Sequence, residues 1–75
     1  MLSLLFNNDL HKELGLEKNI EYPYKKGVTI SVIMNDLGIC NSKLGLITID
    51  GMCVLPSDPV DNNKTIVFHP YVIGG

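Results

Sequence analysis

Thr29 stands directly before a run in which Ile30, Ile33, Met34 and Leu37 fall at i, i+3, i+4 and i+7, and Gly38 follows at once. That spacing sets these apolar side chains on one face of a helix over Thr29–Leu37. The hydroxyl of Thr29 suits an N-cap, and Gly38 suits the left-handed residue that closes a helix. Val28 before the cap and Ile33 at the fourth helical position suit a hydrophobic staple. Ser31, Asn35 and Asp36 fall on the wet side. One helix with a single apolar face needs another layer to bury it, and the rest of the chain has to supply that layer.

The remaining segments read mostly as strands. Leu2 to Phe6 is apolar and strand-like. Asn7-Asn8-Asp9 can cap a short helix through Leu10, Leu14 and Leu16 that ends near Gly15, with Leu10 and Leu14 as i,i+4 partners. Asn19 to Tyr24 alternates Ile20, Tyr22 and Tyr24 against Glu21, and Pro23 places this strand at an edge. Lys25-Lys26-Gly27 is its exit turn. Leu44 to Ile49 is β-branched, and Asp50-Gly51 is a two-residue hairpin signal before Met52-Cys53-Val54-Leu55. Pro56-Ser57-Asp58-Pro59 stops that strand. In Asp61-Asn62-Asn63-Lys64 an asparagine can take positive φ. Thr65-Ile66-Val67-Phe68 has the highest β-propensity in the chain, and Pro70 ends its ladder. Ile66-Val67-Phe68 calls for burial on both faces, hence a central place. The expected fold is α+β, a mixed sheet of about five strands packed on one main helix, in a single domain over residues 1–75.

Composition narrows the function classes. The chain has 75 residues, 45% of them hydrophobic, which suits one small domain with one core. The net charge is -2, and every basic residue is lysine. Phosphate and base recognition rely on the arginine fork, and the lysines are scattered apart from Lys25-Lys26, so no nucleic-acid partner is expected. Met1-Leu2-Ser3-Leu4-Leu5-Phe6 is too short for a signal h-region and lacks a preceding basic stretch. No apolar run approaches membrane-spanning length. Cys40 and Cys53 form no CxxC motif, and His11 and His69 do not bracket them at zinc spacing, so both read as buried reduced thiols. Cytoplasmic location is the expectation that follows.

The chain closes on Val72-Ile73-Gly74-Gly75. Two glycines leave the final carboxylate on a thin stalk that can enter a channel closed to any side chain. A carboxylate that must reach a nucleotide inside another protein needs that shape.

Together these residues resemble a known family. Gly27-Val28-Thr29-Ile30 with Leu37-Gly38-Ile39 looks like the helix signature of the β-grasp sulfur carriers. Ile49-Asp50-Gly51 looks like their Val-Asn-Gly turn. Val67-Phe68-His69-Pro70-Tyr71-Val72-Ile73-Gly74-Gly75 looks like their Phe-Pro-Pro-Val-x-Gly-Gly ending. The chain is similar to the MoaD/ThiS family over essentially its whole length. It departs at His69, where a proline is usual, and at Tyr71. Asp50 replaces an asparagine, and Asn62-Asn63-Lys64 stands in place of Asp-Gly-Asp.

The resemblance implies a ubiquitin-like β-grasp fold and a carrier that is not itself an enzyme. A ThiF/MoeB-type adenylyltransferase, using ATP, would adenylate the Gly75 carboxylate. Sulfur would then replace the adenylate to give a thiocarboxylate. The acceptor would be a synthase subunit, such as a molybdopterin synthase large subunit or a thiazole synthase. No bound cofactor is expected. The site is Gly75 with Gly74, and Phe68, Pro70, Tyr71, Val72 and Ile73 are the expected partner contacts. Two alternatives stay open: a ubiquitin-like modifier conjugated through Gly75, and a β-grasp binding module without tail chemistry.

Other residues have plainer readings. His69 reads as an exposed or edge histidine at a strand end rather than a proton shuttle. Cys53 reads as a small strand hydrophobe rather than a persulfide relay. Asp50, Asp58 and Asp61 read as turn chemistry rather than a metal site. Tyr71 and Val72 read as partly exposed interface anchors.

Overall fold

The computed structural model describes residues 1–40, 42 and 44–70. In chain order the elements are β1 (Leu2–Phe6), α1 (Leu10–Leu14), β2 (Asn19–Tyr22), α2 (Ile30–Leu37), β3 (Leu44–Ile49), β4 (Met52–Val54) and β5 (Thr65–Pro70). The strands form one mixed sheet in the order β2-β1-β5-β3-β4. β1 and β5 run parallel, with Leu4 beside Ile66 and Phe6 beside Phe68. The other pairings are antiparallel.

The last strand takes the expected central place, but the expected burial on both faces is corrected, since Val67 is only half-buried on the face opposite Ile66 and Phe68. Ile66 and Phe68 are wholly buried on the same side as Leu2, Leu4, Phe6 and Ile47. The helices supply Ile30, Ile33, Met34 and Leu10 to that core. The rings of Phe6 and Phe68 stack with centroids 5.0 Å apart. Burying one such side chain contributes about 1.5–3 kcal/mol, so this strand pair holds much of the core's stability. No buried side chain among the described residues is polar or charged.

α2 forms as its pattern requires. Thr29 Oγ1 accepts the Val32 N–H at 3.4 Å, and Gly38 closes the helix at φ 71°. The Ile30 and Ser31 N–H groups donate to the carbonyls of Asp58 and Pro56, at 3.3 and 2.7 Å. The start of α2 is thus tied to the segment between β4 and β5. Val28 and Ile33 are both buried, as a staple requires. Asp50 and Gly51 sit at φ 53° and 78°, the left-handed pair of a type I′ hairpin. Asn63 takes φ 62°.

Some expectations are corrected. β2 ends at Tyr22, because Pro23 cannot donate to a ladder, so Tyr24 lies beyond the strand. β4 stops at Val54, one residue short of the expected Leu55. β5 does not stop at Phe68: it runs on through His69 to Pro70, which pairs with Leu44 beyond an irregularity in β3. Asp9 makes no side-chain cap to α1; its carbonyl instead accepts from Lys12 and Glu13. Cys40 and Cys53 are free, as expected, but both are exposed rather than buried.

Candidate functional site

The alternation of β5 sends its residues to two different environments. Ile66 and Phe68 enter the core, while Thr65, Val67 and His69 turn to the opposite face. The helices pack their buried residues on the core face, so the other face is open. Register sets the neighbours there: Val67 lies between Leu5 of β1 and Thr48 of β3, and His69 lies beside Leu46. Leu5 and Val67 are half-buried and Leu46 is 45% exposed. Cys53 of β4, opposite Thr48, extends this face to the sheet edge. The result is a small apolar strip bordered by hydroxyls, a thiol and one imidazole.

His69 holds the strip together at the end where β5 finishes. Its Nδ1 lies 3.2 Å from Asn7 Nδ2, just past β1. Its Nε2 lies 3.1 Å from Thr48 Oγ1 on β3. The ring therefore spans three neighbouring segments of sheet. His69 lies at the end of a strand, as expected, but it is half-buried and the strand is central, which corrects the reading of an exposed or edge histidine. From sequence Asn7 reads only as part of a helix cap, and Thr48 is not singled out. The only local signal was that alternate residues of apolar strands share a face.

The expected partner contacts fall in different places. Phe68 is buried against Phe6 and presents no surface, so its expected role as a direct contact is corrected to one in the core. Pro70 is half-buried at the end of β5. Tyr71, Val72, Ile73, Gly74 and Gly75 lie outside the described residues.

The acidic turn residues have local partners. Asp58 Oδ2 accepts the Leu55 N–H at 2.8 Å. Asp50 Oδ2 meets Lys64 Nζ at 2.8 Å, and the hydrogen bond and charge of Asp50 hold the Lys64 ammonium above its ordinary range. Both groups of that pair are exposed, so the bridge itself adds little stability. Among the described residues no helix is long and apolar enough to cross a membrane.

No family model and no curated protein matches the sequence. Solved structures do match its shape. The crystal structure of SAMP1 from Haloferax volcanii superposes with a TM-score of 0.74 at 12% identity, covering 99% of this chain and 98% of that one. A crystal structure of H. volcanii small archaeal modifier protein 1 gives a TM-score of 0.72 at 10% identity, covering 95% and 97%. The fold is the ubiquitin-like β-grasp of these neighbours.

Proposed function

We propose that this chain is a β-grasp carrier whose Gly75 carboxylate is adenylated by an ATP-dependent, ThiF/MoeB-type partner and converted to a thiocarboxylate. That group then donates sulfur inside a second protein, a synthase subunit of the molybdopterin or thiazole type. The observation that carries this reading is the path of β5. The central strand ends at Pro70 beside an open apolar strip, and the sequence runs on into Tyr71-Val72-Ile73-Gly74-Gly75. A domain held by that strip presents a narrow segment to a site in its partner. A free carboxylate is a poor acyl donor, and acyl phosphate formation makes it open to attack. Both ring nitrogens of His69 are engaged by neighbours, which supports leaving the catalysis to the partner.

A second reading has a specific support. Two of the structural neighbours carry the SAMP1 or small archaeal modifier name, and a modifier would use the same adenylate before joining Gly75 to a lysine of another protein. Intact mass after expression in the native host separates the two. One oxygen replaced by sulfur at Gly75 is the carrier's result. Lysines elsewhere bearing the Gly75 end are the modifier's result. A mature chain that continues past Gly75 overturns both.

The activating step has its own test. Deleting Gly75 withdraws the carboxylate by about 3.3–3.6 Å of chain, and a 1 Å error in reacting geometry can cost ~10²-fold. Gly74→Val places a β-branched side chain where only glycine passes. Neither variant is expected to form the adenylate with the cognate enzyme, and both keep the parent melting temperature. Tyr71→Asp weakens the complex without unfolding the domain. Full adenylation of the deletion variant leaves only a β-grasp binding module.

A further inference from the structure

The end of β5 is a weak point of the ladder that a side chain reinforces. The Asn7 N–H donates to the Phe68 carbonyl at 2.9 Å, so the backbone groups of Phe68 point toward β1. Those of Val67 and His69 consequently point toward β3, and His69 forms a hydrogen-bonded rung with Leu46. It is the last regular rung. One step further along β5 is Pro70, which has no N–H to give. The same step covers two residues of β3, from Leu46 to Leu44, so Gly45 is an extra residue there. Such an insertion leaves one residue unpaired and bends the strand. A strand end beside a break of this kind is among the first parts of a fold to open.

The His69 ring closes that gap sideways. Nδ1 lies 3.2 Å from Asn7 Nδ2, and Nε2 lies 3.1 Å from Thr48 Oγ1. Asn7 directly follows β1 and Thr48 belongs to β3, so one side chain ties β5 to both of its neighbours at its last rung.

We infer that His69 is a positioning residue for the reaction at Gly75, holding the end of β5 so that residues 71–75 start out in one direction. The inference rests on the reading that the Gly75 carboxylate is adenylated. Docking through the open strip sets the domain against its partner, and the strand end then sets where the last residues begin. An extended segment of five residues, the form a narrow channel imposes, spans about 17 Å, so a tilt of about 10° at Pro70 moves its far end by about 3 Å. An error of that size removes near-attack geometry and leaves the docking contacts in place. His69 acts through Pro70 and takes no part in the bond-making step.

Two measurements on the full chain test this. The first is amide hydrogen exchange of the free protein. His69→Ala is expected to speed exchange at residue 69 and Leu46 at least about tenfold. Ile33→Val, which loosens the core from α2, is expected to speed the Leu4 and Ile66 amides and leave that last rung unchanged. His69→Gln offers an acceptor to Asn7 and a donor to Thr48, and should restore the protection. The second is ATP-dependent adenylate formation with the cognate activating enzyme. His69→Ala should lower kcat about tenfold while KM for the chain moves by about twofold or less. Thr48→Val, which removes one of the two bonds, should fall between, and His69→Gln should recover most of kcat. Ile33→Val should keep the parent kcat. Unchanged exchange at Leu46 in His69→Ala overturns the inference, and so does a loss carried by KM alone, which makes His69 a docking contact. A kcat that His69→Gln does not raise above that of His69→Ala also overturns it. A parent chain that forms no adenylate overturns the reading at Gly75 and the positioning role with it, whereas exchange at Leu46 decides the strand-end clamp separately.

Discussion

Asn7 Nδ2 stands 3.2 Å from Nδ1 of His69, across 62 positions of chain. A side-chain amide nitrogen can only donate, so Nδ1 has to accept. The neutral ring then carries its proton on Nε2 and donates it to Thr48 Oγ1 at 3.1 Å. Nitrogen NMR of the imidazole is expected to give the Nε2–H pattern. His69→Ala removes both bonds from a half-buried site and should cost about 1–3 kcal/mol in denaturant melts. An Nδ1–H pattern would mean that the Asn7 amide is turned the other way.

Phe68 and Ile33 test the core from its two layers. Phe68→Ala empties the stack on Phe6 and should cost about 3–5 kcal/mol. Ile33→Ala on the buried face of α2 should cost about 2–5 kcal/mol. Denaturant unfolding reads both. A loss near zero at Ile33 would show that α2 does not bury this face.

The Tyr22–Asp36 contact predicts a pH dependence. The hydrogen bond to Asp36, then desolvation, then the carboxylate charge raise the Tyr22 phenol above its ordinary value. A raised folded pKa means that the neutral phenol is favoured in the native state. The stabilisation is complete below the ordinary phenol pKa of about 10 and disappears as pH climbs through the higher folded value. Phenolate absorbance should show a late titration for Tyr22, and Asp36→Asn should lower it toward the ordinary phenol value. Late titration that survives Asp36→Asn would remove the contact from the account.

Both cysteines should react with a thiol reagent in the folded protein, without denaturant or reductant, because both are exposed and free. A Cys53 that reacts only after unfolding would place it on the core face of β4 rather than the open one.

Much of the fold could be read locally. The Thr29 cap, the Ile30–Leu37 stripe and the Asp50-Gly51 turn each depend on residues within a few positions of one another, and each formed as its chemistry required. The central place of β5 followed from its apolar run. What escaped was set by pairing at a distance. His69 looked exposed or at an edge because Asn7 and Thr48, which hold it, lie 62 and 21 positions away. Cys53 looked like a core hydrophobe because a short edge strand does not announce which face its middle residue takes; register opposite Thr48 decides it. Phe68 looked available to a partner because its neighbours toward the chain end suit one, yet the alternation that exposes Val67 and His69 buries Phe68.

The parallel pairing of β1 with β5 also has a consequence for synthesis. While a ribosome makes the chain, Leu2, Leu4 and Phe6 are translated long before Ile66 and Phe68, the residues that cover them. The sheet has no middle until Thr65–Pro70 has emerged, so the core cannot close before that strand is available. A nascent or truncated product lacking this stretch leaves β1 and β3 as two raw edges facing a gap. Proteases and chaperones meet that form first. Closing the core thus waits on the same strand that leads into residues 71–75.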